Sequence, residues 1–129
     1  MTASQYAQPI ALSLEPSAAR RQVRAFLAGK DWSGNPDDVV LAVHEALVNA
    51  RRHGGAAVRA ELALDRSCLV VRVWDAGPGF DLTARVRHTP DPTAERGRGL
   101  WLIDRMTTNC EVGRDDDGVF LVMRFDCAA

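Results

Sequence analysis

The chain has 129 residues and a mass of 14.1 kDa, a size at which one domain can bury a hydrophobic core without metals or cross-links. Apolar residues make up 47% and charged residues 26%, which excludes a disordered, collagen-like or coiled-coil chain. The formal net charge of -1 lacks the positive field that attracts nucleic acid or anionic lipid, so we expect neither as a direct partner.

The cysteines and the N-terminal residues indicate the cellular compartment in which the protein is expected. Cys68, Cys110 and Cys127 are widely spaced and odd in number, a pattern that suggests neither a disulfide framework nor a zinc site. No apolar run approaches the length of a membrane span, and residues 1–9 lack the features of a secretion signal. We therefore expect a cytoplasmic protein without a membrane segment.

The first half of the chain predicts one strand and two helices. Residues 10–14 alternate apolar and small side chains and end before a proline, which is typical of an edge strand. Apolar side chains then recur at helical spacing from Ser17 to a glycine at position 29. A second helix is predicted over residues 36–53, because Asn35 can cap it and a proline and two carboxylates follow.

The second half predicts four strands, over residues 58–64, 69–74, 110–113 and 119–125. Residues 80–96 show no periodicity and are predicted to form a lid, and a third helix is predicted from Gly97 to about residue 107. This order predicts an α+β fold of two layers, a mostly antiparallel sheet with the helices on one face. We expect a single domain over residues 1–129, with its core at about 8–126.

Three polar side chains of the second helix share one stripe, because Glu45, Asn49 and His53 are spaced four residues apart. A carboxylate can accept a proton, and an amide oxygen can ligate a hard cation such as Mg²⁺ that accompanies nucleotide phosphates. The same spacing is compatible with a solvated polar face, so the stripe alone does not define a site.

Two glycine-containing segments border predicted elements. Asp75 ends a strand before Gly77 and Gly79, where a carboxylate could bind a purine amino group, although such a sequence is more often only a turn. Gly97 and Gly99 flank Arg98 at the start of the third helix, where free N–H groups and the helix dipole favour phosphate. Neither segment matches a dinucleotide-binding fingerprint or a P-loop.

In order and spacing, residues 45–54, 75–79 and 97–100 resemble the N, G1 and G2 boxes of the GHKL ATPase superfamily. Within it, the chain looks most like the small stand-alone bacterial anti-sigma factors with serine/threonine kinase activity, over about residues 8–126. The resemblance implies the Bergerat fold, an α/β sandwich, which agrees with the order of elements predicted above.

The resemblance also implies roles for individual residues. Glu45 would be the general base, Asn49 would ligate Mg²⁺, and Asp75 would bind the adenine amino group. The adenine pocket and the phosphate-binding segment would be formed by Gly77, Gly79, Gly97, Arg98, Gly99 and Leu100.

The activity implied by the resemblance is transfer of the γ-phosphate of ATP to a Ser or Thr of an anti-anti-sigma protein with a STAS domain. A sigma factor would be the second partner, and a homodimer is plausible. Two alternatives stay open. One is a non-catalytic module whose affinity for partners responds to ATP or ADP, and the other is a detached ATP-binding domain that phosphorylates a histidine in trans.

Overall fold

The computed structural model describes residues 8–51, 57–75 and 98–125. The elements, in chain order, are β1 (Ile10–Ala11), α1 (Pro16–Leu27), α2 (Pro36–Asn49), β2 (Ala57–Asp65), β3 (Cys68–Asp75), α3 (Arg98–Met106), β4 (Asn109–Asp115) and β5 (Gly118–Phe125). The predicted lid, residues 80–96, lies outside the described residues.

The five strands form one sheet in the order β1-β2-β3-β5-β4, and every strand pairing in the described part of the chain is antiparallel. Alternate residues of β3 and β5 are buried against the helices, as the period of a half-covered strand requires. The structure therefore confirms the predicted α+β architecture, a sheet with the helices on one face.

The core lies between the sheet and the helices and is almost entirely aliphatic. Its largest fully buried side chains are Val23, Val39, Val43, Leu47, Leu62, Leu69, Val71, Val73, Ile103, Leu121 and Met123. The helices contribute only five of these, because α1, α2 and α3 are amphipathic and bury one stripe each. Burial of this apolar surface is the main favourable contribution to folding.

Local side-chain contacts set where the first two helices begin. The carboxylate of Glu15 accepts the backbone N–H groups of Ser17 and Ala18, at 3.2 and 2.9 Å, so α1 begins at the proline rather than at Ser17. These bonds favour the ionised carboxylate and lower the pKa of Glu15. The side chain of Asn35 accepts the N–H of Asp37 at 2.9 Å, which confirms the predicted cap of α2.

The end of α2 differs from the prediction. The α-helix stops at Asn49 and is followed by a π-type turn over residues 50–51. The N–H of Ala50 is shared between the carbonyl groups of Ala46 and Leu47, as is common at helix ends. Positions 52 and 53 lie outside the described residues, so His53 cannot be placed on the stripe predicted for it. The first strand is also shorter than predicted, because only residues 10–11 pair with β2.

The cysteines also depart from expectation. Cys68, at the start of β3, is disulfide-bonded, so the inference that the spacing argues against a disulfide was wrong. Separation along the sequence does not show which side chains the sheet brings together. Cys110 is a free thiol, and Cys127 lies outside the described residues. No helix in the described part of the chain is long and apolar enough to cross a membrane.

Candidate functional site

The direction of α2 along the sheet follows from a cavity at its N-terminal end. This cavity, about 230 Å³ in volume, is lined by Trp32, Gly34, Asn35, Asp38, Met106, Thr107, Thr108 and Phe125. Phe125 ends β5 and is close in register to the start of β3, since it pairs with Leu69. Because 14 helical residues extend about 20 Å, α2 runs from this cavity end toward the other end of β3.

The direction of α3 follows in the same way. Thr107 and Thr108, just beyond its last residue, line the same cavity, and the N–H of Thr108 donates to the carbonyl of Arg124 at 2.7 Å. The C-terminal end of α3 is thus held beside the end of β5. Its first residue, Arg98, is about 12 Å further along the helix, toward the end of the sheet where β3 finishes.

Three predicted motifs therefore converge on one edge of the molecule. The C-terminal end of α2, with Glu45 and Asn49, the last residue of β3, Asp75, and the start of α3 at Arg98 all lie on the side away from the cavity. We call this side the polar edge and the opposite side the cavity end.

The two polar residues of α2 differ in burial. Asn49 is 9% exposed and is one of two buried polar or charged side chains in the described part of the chain. Glu45 is half-buried one turn earlier, whereas its neighbour His44 is exposed. A spacing of four residues places the two side chains on the same side of the helix. Glu45 can thus reach solvent or a bound partner while Asn49 is turned toward the interior.

Asp75 is the other buried polar residue. It is 2% exposed and continues the alternation of Leu69, Val71 and Val73, so its side chain faces the helix layer. Burial of a carboxylate is costly unless hydrogen-bond donors compensate for the lost water. A carboxylate at a strand end on the polar edge is suited to accept an N–H from a ligand amino group.

The start of α3 offers a different chemistry. The first turn of a helix has backbone N–H groups without intrahelical acceptors, and they bind anions readily. Residues 98–100 form this first turn, as predicted from the glycines around Arg98. The side chains of Arg98 and Leu100 are outside the described part, as are Gly77, Gly79 and Gly97 in full.

The helix dipoles at the polar edge are complementary to a cation and an anion. The C-terminal end of α2 carries partial negative charge, and the exposed Arg51 follows it in the next turn. The N-terminal end of α3 carries partial positive charge and faces the same edge. A divalent cation near Asn49 and phosphates near Arg98 would each meet a favourable field.

The donor set fits a cation that arrives with a ligand. The described residues contain no group of three or more His, Cys, Asp or Glu side chains that could hold a metal ion. Mg²⁺ commonly uses one or two protein oxygens and completes its shell with phosphate oxygens and water. The buried amide of Asn49 can supply one such oxygen.

The sequence analysis missed the surroundings of Trp74, the residue before Asp75. Its indole is 3% exposed although it lies on the sheet face that the helices do not cover. Arg59 contacts it from the neighbouring strand β2, and Asp115 contacts it from β4, two strands away. The available signal was an aromatic residue on the outer face of a strand that ends at a candidate ligand.

A family model for the histidine kinase-like ATPase domain matches residues 11–125. The chain therefore belongs to this family of ATP-binding, kinase-like domains, which confirms the GHKL superfamily assignment. No curated protein matches the chain.

Proposed function

We propose that this protein is an anti-sigma factor with Mg-ATP-dependent serine/threonine kinase activity. The observation that carries the proposal is the match of residues 11–125 to a histidine kinase-like ATPase domain in which α2 and β3 end in the buried polar residues Asn49 and Asp75. The polar edge offers the groups that bind a nucleotide and, in addition, a half-buried carboxylate that binding alone does not require.

In this proposal each part of the nucleotide has a described counterpart. The carboxylate of Asp75 accepts the adenine amino N–H, and the backbone at Arg98 and Gly99 contacts the phosphates. Mg²⁺, when bound through the amide oxygen of Asn49, neutralises charge on the phosphates. Positioning and electrostatic stabilisation account for most of the catalysis of phosphoryl transfer.

In the proposed chemical step, Glu45 accepts the proton of the acceptor hydroxyl. A serine or threonine hydroxyl of the acceptor attacks the γ-phosphorus, and its proton passes to the Glu45 carboxylate. The new oxygen–phosphorus bond forms while the bond from the γ-phosphorus to the bridging oxygen breaks, and ADP leaves with that electron pair. A half-buried carboxylate suits this role, since it can reach a hydroxyl delivered from outside the domain.

The proposed acceptor is an anti-anti-sigma protein with a STAS domain, and a sigma factor is the proposed competing partner. Exchange of these partners upon phosphorylation would regulate transcription in the bacterial cytoplasm. Support for these partners comes from the likeness of the three boxes to small anti-sigma factors. The same likeness is the support for the proposal that two copies of this chain form a homodimer.

The test is a transfer assay with a matched pair of variants. A STAS-domain protein captured with this chain is incubated with the chain and Mg-ATP, and acid-stable phosphate is read by intact mass. Glu45→Gln should lower the transfer rate by about 10²- to 10⁴-fold while ATP affinity stays within about twofold. His44→Gln, on the exposed neighbouring position, should transfer at the wild-type rate.

Each outcome has a defined meaning. If Glu45→Gln transfers phosphate at the wild-type rate, the assignment of Glu45 as the general base is refuted. Acid-labile phosphate on a histidine would favour the detached histidine-phosphorylating domain. Nucleotide-dependent capture with no transfer by the wild type would favour the non-catalytic module that responds to ATP or ADP.

A further inference from the structure

The indole of Trp74 is enclosed on the outer face of the sheet by side chains from other strands. The guanidinium carbon of Arg59 lies 4.3 Å from the ring centroid. The ring of Phe120 lies on the other flank, with centroids 5.3 Å apart and planes inclined at 46°. These two contacts leave Trp74 only 3% exposed although no helix covers this face.

The contacts form a row across four adjacent strands. Arg59 of β2 pairs with Trp74 of β3, Trp74 pairs with Phe120 of β5, and Phe120 pairs with Gly113 of β4. A Cβ atom at Gly113 would lie 2.5 Å from the Phe120 ring, so a larger residue at this position would clash with the ring. We call these four residues the transverse row.

Hydrogen bonds tie the row to the turn between β4 and β5. The indole N–H of Trp74 donates to both carboxylate oxygens of Asp115, at 3.1 and 3.0 Å. The same carboxylate accepts the backbone N–H of Asp117 at 2.8 Å, and Arg59 donates to the Asp117 side chain at 2.6 Å. The turn is thereby fixed to β2 and β3 as well as to its own strands.

Asp75 lies directly beside this assembly. It follows Trp74 in the chain, is the last residue of β3, and pairs with Ala57 and Val119. Its carbonyl oxygen is 3.3 Å from where a Cβ of Gly118 would lie, so the strand end is packed against the same turn. Because the intervening peptide is planar and successive side chains alternate, fixing the Trp74 ring on one face directs the Asp75 carboxylate to the other.

We propose that Trp74, held by Asp115 in the transverse row, is a positioning residue that sets the orientation of the Asp75 carboxylate toward the adenine amino group. This inference rests on the proposed function, in which Asp75 recognises adenine. Trp74 and the proposed nucleotide site are on opposite faces of the sheet, so the effect passes through the backbone of β3 and through the β4–β5 turn, which packs against the Asp75 carbonyl.

A purely structural role for Trp74 makes a different prediction. Loss of stability would lower the amount of folded protein and weaken the binding of every nucleotide equally. Loss of carboxylate orientation would weaken ATP selectively over inosine triphosphate, which carries an oxygen in place of the amino group. The ratio of the two dissociation constants therefore separates positioning from stability.

The experiment measures both affinities by calorimetry on the full chain. Trp74→Phe keeps an aromatic ring and removes the N–H, and Asp115→Ala removes the acceptor of the same bond. Each should reduce the preference for ATP over inosine triphosphate by about fivefold with little change in inosine triphosphate affinity. Glu111→Ala is the matched control, because it breaks a 2.7 Å ion pair with Arg124 on the same face but away from Asp75.

The outcomes are distinguishable. A reduced preference in both variants, with the control unchanged, supports the proposal. An unchanged preference in a folded variant overturns it and leaves adenine recognition by Asp75 intact. A wild-type protein that binds ATP without preferring it to inosine triphosphate overturns the role of Asp75 itself, and one that binds no nucleotide refutes the proposed function. If Trp74→Phe fails to fold, Asp115→Ala decides the question.

Discussion

The two ends of α2 face opposite sides of the molecule and differ in how they are capped. At the cavity end, the side chain of Asn35 accepts a helix N–H, and Asp37 and Asp38 complement the positive end of the dipole. At the polar edge, the α-helix ends in the buried Asn49, and a π-type turn that contains the exposed Arg51 follows. The helix stabilises its own start, whereas its end is suited to a charge that a ligand brings.

This difference shows how one helix can serve both the fold and a site. At the cavity end the first N–H groups of the helix are satisfied locally, because Asn35 accepts from Asp37 through its side chain and from Asp38 through its carbonyl oxygen, as is typical of a structural cap. Polar groups at the polar edge come from α2, β3 and α3, which are distant in sequence. Substitutions at the two ends should accordingly affect different quantities.

The largest effect is expected at the buried carboxylate of the polar edge. Asp75→Asn keeps the shape but replaces a charged acceptor, so ATP affinity should fall by about 10- to 100-fold, the value of a charge-assisted hydrogen bond. Titration calorimetry measures this change. Asp38→Asn, a similar replacement at the cavity end, should leave ATP affinity unchanged, and an equal loss in both variants would remove the distinction between the ends.

A smaller effect is expected at the end of α2. Asn49→Ala removes the amide oxygen, so affinity for Mg-ATP should fall by about tenfold while affinity for ATP in excess EDTA changes little. The measured quantity is the ratio of the two dissociation constants. Asn109→Ala, on β4, is the control, and an unchanged ratio in Asn49→Ala would contradict the metal-ligand role.

At the cavity end the expected change is in stability rather than binding. Asn35→Ala leaves the N–H of Asp37 without its acceptor and should lower the free energy of unfolding by about 1 kcal/mol. Urea denaturation followed by circular dichroism checks this value. ATP affinity of the folded variant should equal that of the wild type, and a loss of affinity would mean that the two ends are coupled.

Mg-ATP should have no effect on the free thiol of β4, Cys110, which lies away from the polar edge. Burial, with smaller contributions from Asp104 and Glu111, raises the pKa of Cys110 to about 12. The thiolate is therefore scarce at pH 8, and alkylation should be about fiftyfold slower than for an exposed thiol, because greater nucleophilicity recovers only part of the loss. The rate of Cys110 alkylation should rise with pH and be unaffected by Mg-ATP. Rapid alkylation at pH 8 would contradict the burial.

The sequence was sufficient for the layers and for most elements, for identifiable reasons. Hydrophobic periodicity and the cap at Asn35 are local signals, and they predicted α2 and the hairpin strands to within a few residues. The direction of each element along the sheet was not predictable in this way. It depends on packing between α2, α3 and the strands, which the cavity at Trp32 and Phe125 reveals.

The candidate site was predicted unevenly. Glu45, Asn49 and Asp75 lie within short motifs; Asn49 and Asp75 are buried at the ends of α2 and β3, and their role in a common site stays a prediction. The enclosure of Trp74 depends on cross-strand register and on a residue 41 positions away, so the local pattern could mark an outward-facing aromatic residue but could not identify its partners. The disulfide at Cys68 was missed for the same reason, since it depends on contacts made only in the folded chain.

The most direct test is hydrogen exchange of the full chain with and without Mg-ATP, read by mass spectrometry. The account predicts nucleotide-dependent protection in peptides that contain Asn49, Asp75 and the start of α3, and none in peptides from residues 32–38 or 106–108 at the cavity end. Protection at the cavity end, or no protection at the polar edge at saturating Mg-ATP, would contradict it.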